Sequence, residues 1–253
     1  MLNYDVFIPV RLTSKRFPKK TMSKINGKPI LYHLIQRIKT SKKIRKVIVC
    51  TTTNNSDDEL VKFLNNEGLD VFRGNEHDIL VRFLDAAKHY DTDFIVSVDG
   101  DDIYADPALV DKILSKFDET NGDYIQILGV PIGFTPFGFK TKSLEKICSL
   151  KKTNNTETGY VRFFTETNLF NIKNVEYDLK TSLPQNLRLS LDYPIELEIA
   201  NYVYGKLGSF FHMEDVLNLL EKNPELLKIT DKIESEWNEH WDTNLADISI
   251  NDN

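Results

Sequence analysis

Cysteine is scarce. Two residues in 253, Cys50 and Cys148, cannot frame a disulfide scaffold or complete a cysteine-based zinc site, and they point to a reducing compartment. No apolar run approaches the roughly 18 residues of a membrane-spanning helix. Basic excess is missing as well: 32 Lys and Arg against 38 Asp and Glu leave a net charge of −6 and a pI near 5.5. That balance argues against nucleic acid as a partner, since such domains are as a rule basic. His33, His77, His89, His212 and His240 share no His-x-x-x-His or cysteine spacing, which argues against zinc. The chain lacks G-x-x-x-x-G-K-[ST] and G-x-G-x-x-G strings, so P-loop and dinucleotide readings fail, and no local motif suggests a Ser–His–Asp set. Internal repeats and low-complexity tracts are absent. The opening MLNYDVFIPVR has neither a basic leader nor a small-residue cleavage site. With 41% hydrophobic and 28% charged residues, the expectation is a soluble, cytoplasmic, globular chain with an ordinary apolar core.

What is there is alternation. Apolar runs at 6–10, 46–50 and 94–98 read as buried strands, with a short strand at 70–72. Helical spacing at 29–38, 57–66, 78–90 and 107–117 separates them. The pattern implies βαβ units and an α/β fold with a mostly parallel central sheet flanked by helices. In such sheets, ligands bind at the carboxyl ends of the strands. After a strand at 124–130 the pattern changes. Residues 131–138 read as a crossing loop, 142–150 as a helix, 159–169 as an aromatic-rich helix and 175–179 as an edge strand. Residues 188–192 (RLSLD) alternate as a strand, and 194–207 and 214–221 read as helices. The acidic tail from Asp231 places Trp237 and Trp241 on one helical face, where with Leu245 they form a packing patch suited to a subunit interface. One domain over 1–253 is expected: 1–125 and 188–210 as nucleotide and metal core, 126–187 as acceptor-binding segment, and 211–253 as helical tail.

Chemistry concentrates at the exits of the predicted strands. Arg11, Lys15, Arg16, Lys19 and Lys20 crowd the loop after the first strand, between Pro9 and Pro18, in a chain that is acidic overall. Guanidinium groups grip phosphate bidentately, Lys adds a point charge, and Ser14 adds a donor. Asp99, Asp101 and Asp102 follow the third long strand, and Asp192 ends a later one. Mg²⁺ takes one or two carboxylates plus waters and substrate phosphates, which Asp101 and Asp192 would supply; Asp102 suits a turn or cap. Asp99-Gly100-Asp101 is also an Asp-x-Asp, the metal–diphosphate signature of glycosyltransferases, and that class stays open as an alternative.

The string I-P-x-R-x-x-S-x-R-x-P-x-K at residues 8–20, followed by Gly27-Lys28-Pro29-Ile30, resembles the opening of the sugar-activating cytidylyltransferases. These are the enzymes that make CMP-activated octulosonate and sialic-type acids, with their spore-coat-polysaccharide branch. The likeness continues at Phe72-Arg73-Gly74-Asn75, Asp78-Ile79-Leu80 and Arg82. It recurs at Gly100-Asp101 with Asp106-Pro107, and at Arg188-Leu189-Ser190-Leu191-Asp192-Tyr193-Pro194 with Glu196 and Leu197. The resemblance implies a Rossmann-like nucleotide-diphospho-sugar transferase fold, often dimeric. It implies a CTP triphosphate held by Arg11, Arg16 and Lys20 with Pro9, Val10 and Ser14 around it, and Mg²⁺ on Asp101 and Asp192. Thr51, Thr53, Arg73, Arg82, Asp99 and Gly100 become candidates for ribose and base. Two departures stand out: Asp99 replaces the relatives' Gln or Thr, and 153–167 lacks the branch's R-E-H-V-T string. The implied reaction moves CMP from CTP to an anionic small molecule with loss of pyrophosphate, in surface polysaccharide or capsule biosynthesis. Lys140, Tyr160 and Arg162 are the candidates for the acceptor's charge. The divergent segment points to a phosphorylated small molecule such as phosphoglutamine; an acidic sugar is the alternative.

Overall fold

The computed structural model describes residues 2–184, 187–231 and 233–251, so residues 185–186 of the expected acceptor segment and 232 and 252–253 of the expected tail lie outside it. The chain begins with β1 (Tyr4–Pro9), a hairpin of β2 (Lys24–Ile25) and β3 (Lys28–Pro29), α1 (Ile30–Ile38) and β4 (Lys46–Thr52). Next come α2 (Asp58–Asn66), β5 (Asp70–Gly74), α3 (Ile79–Tyr90), β6 (Phe94–Ser97) and α4 (Pro107–Thr120). There follow β7 (Tyr124–Leu128), β8 (Phe137–Lys140), α5 (Thr141–Leu150), the single turn α6 (Arg162–Thr165) and β9 (Ile172–Glu176). Then α7 (Leu197–Leu207), α8 (Met213–Glu221), the short α9 (Lys228–Asp231) and α10 (Glu234–Asn244) complete it.

Seven strands make the central sheet, in the order β5-β4-β1-β6-β8-β7-β9. Parallel pairing joins β5 to β4, β4 to β1, β1 to β6 and β7 to β9, while β8 runs antiparallel to β6 and β7. The sheet is mostly parallel, as expected. Its inner strands are apolar throughout because both faces are covered. Val6, Ile8, Val47 and Val49 pack with Leu34, Leu60, Val110 and Val203 on one side. Phe7, Ile48 and Cys50 pack with Leu80, Phe83 and Leu144 on the other. Burial pushes the Cys50 thiol up, so it stays protonated and behaves as a small apolar side chain. Asp78 caps α3 by accepting from the Val81 N–H at 3.2 Å, and Asp106 caps α4 through Ala108 at 2.7 Å. No helix among the described residues is long and apolar enough to cross a membrane.

Three expectations are corrected. Residues 188–192 are not a strand: beyond one bridge from Arg188 to Ile132 they follow an irregular path, and their alternation is misleading because both parities are buried. The aromatic stretch 159–169 yields one helical turn, Arg162–Thr165, with Phe163 and Phe164 buried in it. The loop expected at 131–138 runs into β8, a strand too short and too close to Pro136 to show a period.

Candidate active site

Three strand exits are drawn together, each for a local reason. Beyond β1, the Val10 N–H still bonds the Cys50 carbonyl at 3.2 Å, and the Leu12 N–H donates to Asp57 Oδ1 at 2.8 Å. Asp57 is buried and also accepts from the Thr51 hydroxyl at 3.0 Å and from Thr52, so the basic loop is pinned to the end of β4. Lys19 turns through the left-handed region (φ 56°), and a 3-10 turn over Lys20–Met22 follows. Beyond β6, Gly100 lies against β1's exit: a Cβ there would sit 2.6 Å from Val10 Cγ2 and 2.9 Å from the Pro9 carbonyl oxygen. Only glycine lets the two exits touch. The third wall is 188–192. Gly133 (φ 102°) approaches its backbone so closely that a Cβ would lie 2.7 Å from the Leu189 carbonyl carbon. The Leu191 N–H bonds the Asp101 carbonyl at 2.9 Å. Glu196 accepts from the Asp192 N–H at 2.5 Å and the Tyr193 N–H at 2.8 Å, and it also pairs with Arg188.

The charged side chains meet where these walls join. Lys20 Nζ lies 2.6 Å from Asp101 Oδ2 and 3.0 Å from Asp192 Oδ1, and Arg16 Nη2 lies 2.5 Å from that same Asp192 oxygen. Asp192 Oδ2 accepts from the Ser190 hydroxyl and the Trp237 Nε1–H, each at 2.9 Å, and from Arg188 Nη1 at 3.1 Å. Burial by itself would raise the Asp192 carboxyl, but Lys20, Arg16 and Arg188 bring it down to about 2. Burial would likewise discharge Lys20, yet Asp101 and Asp192 outweigh it and its ammonium is held above its ordinary value. Asp99 goes the other way: burial, with Asp101 close by, pushes it up to about 7 against a 2.8 Å hydrogen bond from the Tyr160 hydroxyl. The Asp102 N–H closes a turn on the Asp99 carbonyl at 2.9 Å, the turn role expected of it.

Residues 6–221 match the family model described as cytidylyltransferase. The chain belongs to the cytidylyltransferase family. It is a nucleotidyltransferase, and the likeness seen in its motifs is borne out. The spore coat polysaccharide biosynthesis protein SpsF of Bacillus subtilis is 24% identical over 226 residues, covering 86% of this chain and 94% of that protein. A 3-deoxy-manno-octulosonate cytidylyltransferase of Geotalea daltonii is 26% identical over 237 residues, covering 92% and 84%. Among solved structures, a cytidylyltransferase from Leptospira borgpetersenii superposes with a TM-score of 0.80 at 27% identity, over 90% of this chain and 97% of that one. The fold is therefore the Rossmann-like nucleotidyltransferase fold.

In this cytidylyltransferase the sequence-derived candidates divide. Arg16, Lys20, Asp101 and Asp192 converge; Pro9, Val10 and Gly100 form the contact between β1 and β6; Tyr160 joins through Asp99 and the Ser97 hydroxyl at 2.9 Å. Ser14 Oγ accepts from the Phe17 N–H at 3.4 Å within the loop. The Arg11 side chain is 41% exposed and reaches Glu157 at 3.5 Å. The other candidates have partners outside this group. Thr51 is turned onto buried Asp57, and Thr53 is exposed with its N–H on the Gly74 carbonyl at 3.1 Å. Arg73 serves the Thr52 and Asn54 carbonyls, each at 2.9 Å, and Asp58 at 2.7 Å. Arg82 is 1% exposed and bonds the Asn75 and Glu76 carbonyls at 2.8 and 3.1 Å, with Glu157 as its counter-ion. Both arginines bond turn carbonyls. Lys140 pairs in register with Phe94 at the amino end of β6, the end of the strand away from Asp99, and binds Asp123 at 3.0 Å. Arg162 is held by Glu166 at 2.8 Å and the Ala246 carbonyl at 3.4 Å.

Four contributors were not assigned roles from sequence: Arg188, Ser190, Glu196 and Trp237. The first three stand inside the motif around Asp192, where the string itself was a signal. Trp237 comes from the tail, 45 residues beyond Asp192, and nothing local announces it. As for a metal, no group of three or more His, Cys, Asp or Glu that could hold one occurs among the described residues. Two carboxylates with hard oxygen donors do fit Mg²⁺, which fills its remaining positions with water and phosphate.

Proposed function

We propose that this cytidylyltransferase moves CMP from CTP to an anionic small-molecule acceptor and releases pyrophosphate, in building a surface polysaccharide or capsule. The observation that carries this reading is the meeting of Arg16 and Lys20 with Asp101 and Asp192 where three strand exits join. Phosphoryl-type transfer asks little covalent help of a protein; positioning and charge neutralisation do most of the work. An acceptor oxygen attacks the α-phosphorus in line, a hydroxyl acceptor giving up its proton to water as it does so; the bond from the α-phosphorus to the bridging oxygen breaks, and pyrophosphate departs with the electron pair. Arg16 and Lys20, with exposed Arg11 at the rim, neutralise the trailing phosphates. Asp101 and Asp192 would hold Mg²⁺, which when bound supplies Lewis-acid charge and a template for the phosphates. Arg16 pairs with Asp192, and Lys20 with both Asp101 and Asp192, so the cations and carboxylates hold one another in place.

The name of the Geotalea daltonii relative, an octulosonate cytidylyltransferase, favours an acidic sugar as acceptor over the phosphorylated small molecule expected from the divergent segment. A pyrophosphate-release screen tests both: four NTPs with Mg²⁺, against sugar acids and phosphorylated metabolites. CTP-dependent release with a sugar acid is the expected result, and release only with a phosphorylated acceptor would reassign the acceptor. Turnover with UTP or dTTP but not CTP would overturn the nucleotide. Transfer from a nucleotide sugar without pyrophosphate release would favour the glycosyltransferase alternative.

A further inference from the structure

Residues beyond 221 lie outside the matched family region, yet they reach the centre of the site. α10 lays the stacked rings of Trp237 and Trp241 side by side, their centroids 5.6 Å apart. The Trp237 Nε1–H donates to Asp192 Oδ2 at 2.9 Å, and the Arg188 guanidinium lies 5.3 Å from the Trp237 ring centre. After α10 the chain is stitched to the segment before α6. The Ala246 N–H bonds the Thr158 carbonyl at 3.0 Å, the Asn251 N–H bonds the Leu150 carbonyl at 2.8 Å, and Ile250 bridges Lys151. A Cβ on Gly159 would meet Leu245 at 2.7 Å. The tail thus runs past Asp192 and is fastened on its far side.

Two oxygens of one carboxylate have been given separate duties. Oδ1 faces Lys20 and Arg16; Oδ2 is surrounded by Ser190, Arg188 and Trp237. A carboxylate rotates freely about its last bond unless something holds one oxygen, and fixed orientation is what a charge-stabilising site needs. We propose that Trp237 is a positioning residue, holding Asp192 with Oδ1 turned to the site, and that the tail carrying it is a strap across the active site. The proposal rests on Asp192 serving nucleotidyl transfer as described above. It also revises the expectation of Trp237 as part of a packing patch at a subunit interface.

Two tryptophans give two indole N–H signals in ¹⁵N-labelled protein, and W241F assigns them. The Trp237 signal should lie downfield and exchange slowly, and D192N should displace it while leaving the Trp241 signal in place. W237F should lower kcat for pyrophosphate release roughly tenfold, the scale of one hydrogen bond to a charged group, with KM for CTP within about twofold. S190A, which removes another donor from the same oxygen, should give the same split to a lesser extent; W241F should change kcat less than about twofold. A Trp237 signal indifferent to D192N overturns the proposal whatever the kinetics. So does a W237F enzyme with unchanged kcat, or one whose loss lies in KM. Failure of the wild type to turn over CTP would instead sink the assigned reaction, and the response of the indole signal to D192N would still decide the contact.

Discussion

Arg16 and Lys20 differ from Arg73, Lys140 and Arg162 in where their partners come from. Lys20 is answered by Asp101 and Asp192, 81 and 172 residues away, and Arg16 by Asp192, 176 residues away. Arg162 finds its carboxylate, Glu166, four residues on, besides the distant Ala246 carbonyl; Arg73 finds Asp58 15 residues back, and Lys140 finds Asp123 17 residues back. A cation with a nearby carboxylate and turn carbonyls in reach is consumed in holding its own neighbourhood. A cation whose partners arrive from other strand exits marks a place where the fold has gathered charge for something else. Arg82 stands between the two kinds. Its carbonyl partners are local, but Glu157 lies 75 residues on and also meets Arg11, so Arg82 anchors the loop beside the site while remaining buried itself.

The largest effect that could break this contrast belongs to Lys20. K20M should reduce CTP-dependent pyrophosphate release roughly a hundred- to a thousandfold, the usual cost of losing one preorganised charge contact in a transition state. Steady-state kinetics at saturating CTP would show it in kcat. Near-wild-type turnover would mean the Lys20–Asp101–Asp192 group is only an ion network of the Arg82 kind. R82M sharpens the other side. Leaving two carbonyls unanswered in a buried setting, and Glu157 with Arg11 as its remaining cation, should cost about 3 kcal/mol, or roughly 6–12 °C in Tm for a chain of this size. Turnover per folded molecule at 20 °C should stay within about threefold of wild type. A large kcat loss with unchanged Tm would return Arg82 to the nucleotide.

What the sequence made legible follows the same division. β1, β4 and β6 could be read because strands covered on both faces are continuously apolar, and α3 and α4 because their apolar residues recur at helical spacing. Lys20 and Asp101 could be read because the basic loop and the Gly-Asp pair are contiguous strings. The path of 188–192 could not, since it is held by Ile132, Asp101 and the close approach of Gly133, contacts that leave no period in RLSLD. Trp237 was hidden for the same reason, 45 residues beyond Asp192. The partners of Arg73, Arg82, Lys140 and Arg162 were not legible, because a string shows a charge and not its partner. β8 was lost between Pro136 and Gly138, and with it the fact that an antiparallel strand carries Lys140 to the wrong end of the sheet.

Lys140 offers the smallest effect and the cleanest sign. Its ammonium lies 3.0 Å from Asp123 and 2.7 Å from the Asn121 carbonyl at the end of α4, so K140M should leave kcat and KM within about twofold of wild type. It should cost about 1 kcal/mol of stability near pH 7, the scale of a partly exposed pair. Burial would raise the Asp123 carboxyl, but the Asn171 N–H and Lys140 hold it below its ordinary value. A carboxylate so depressed contributes its stability above its unfolded-state pKa and loses it as pH falls through the folded-state value. Part of that contribution disappears with Lys140. The Tm gap between wild type and K140M should therefore be widest near neutrality and narrow on acidification. A gap that widens in acid, or a K140M enzyme with a raised KM for its acceptor, would move Lys140 back among the substrate-binding residues.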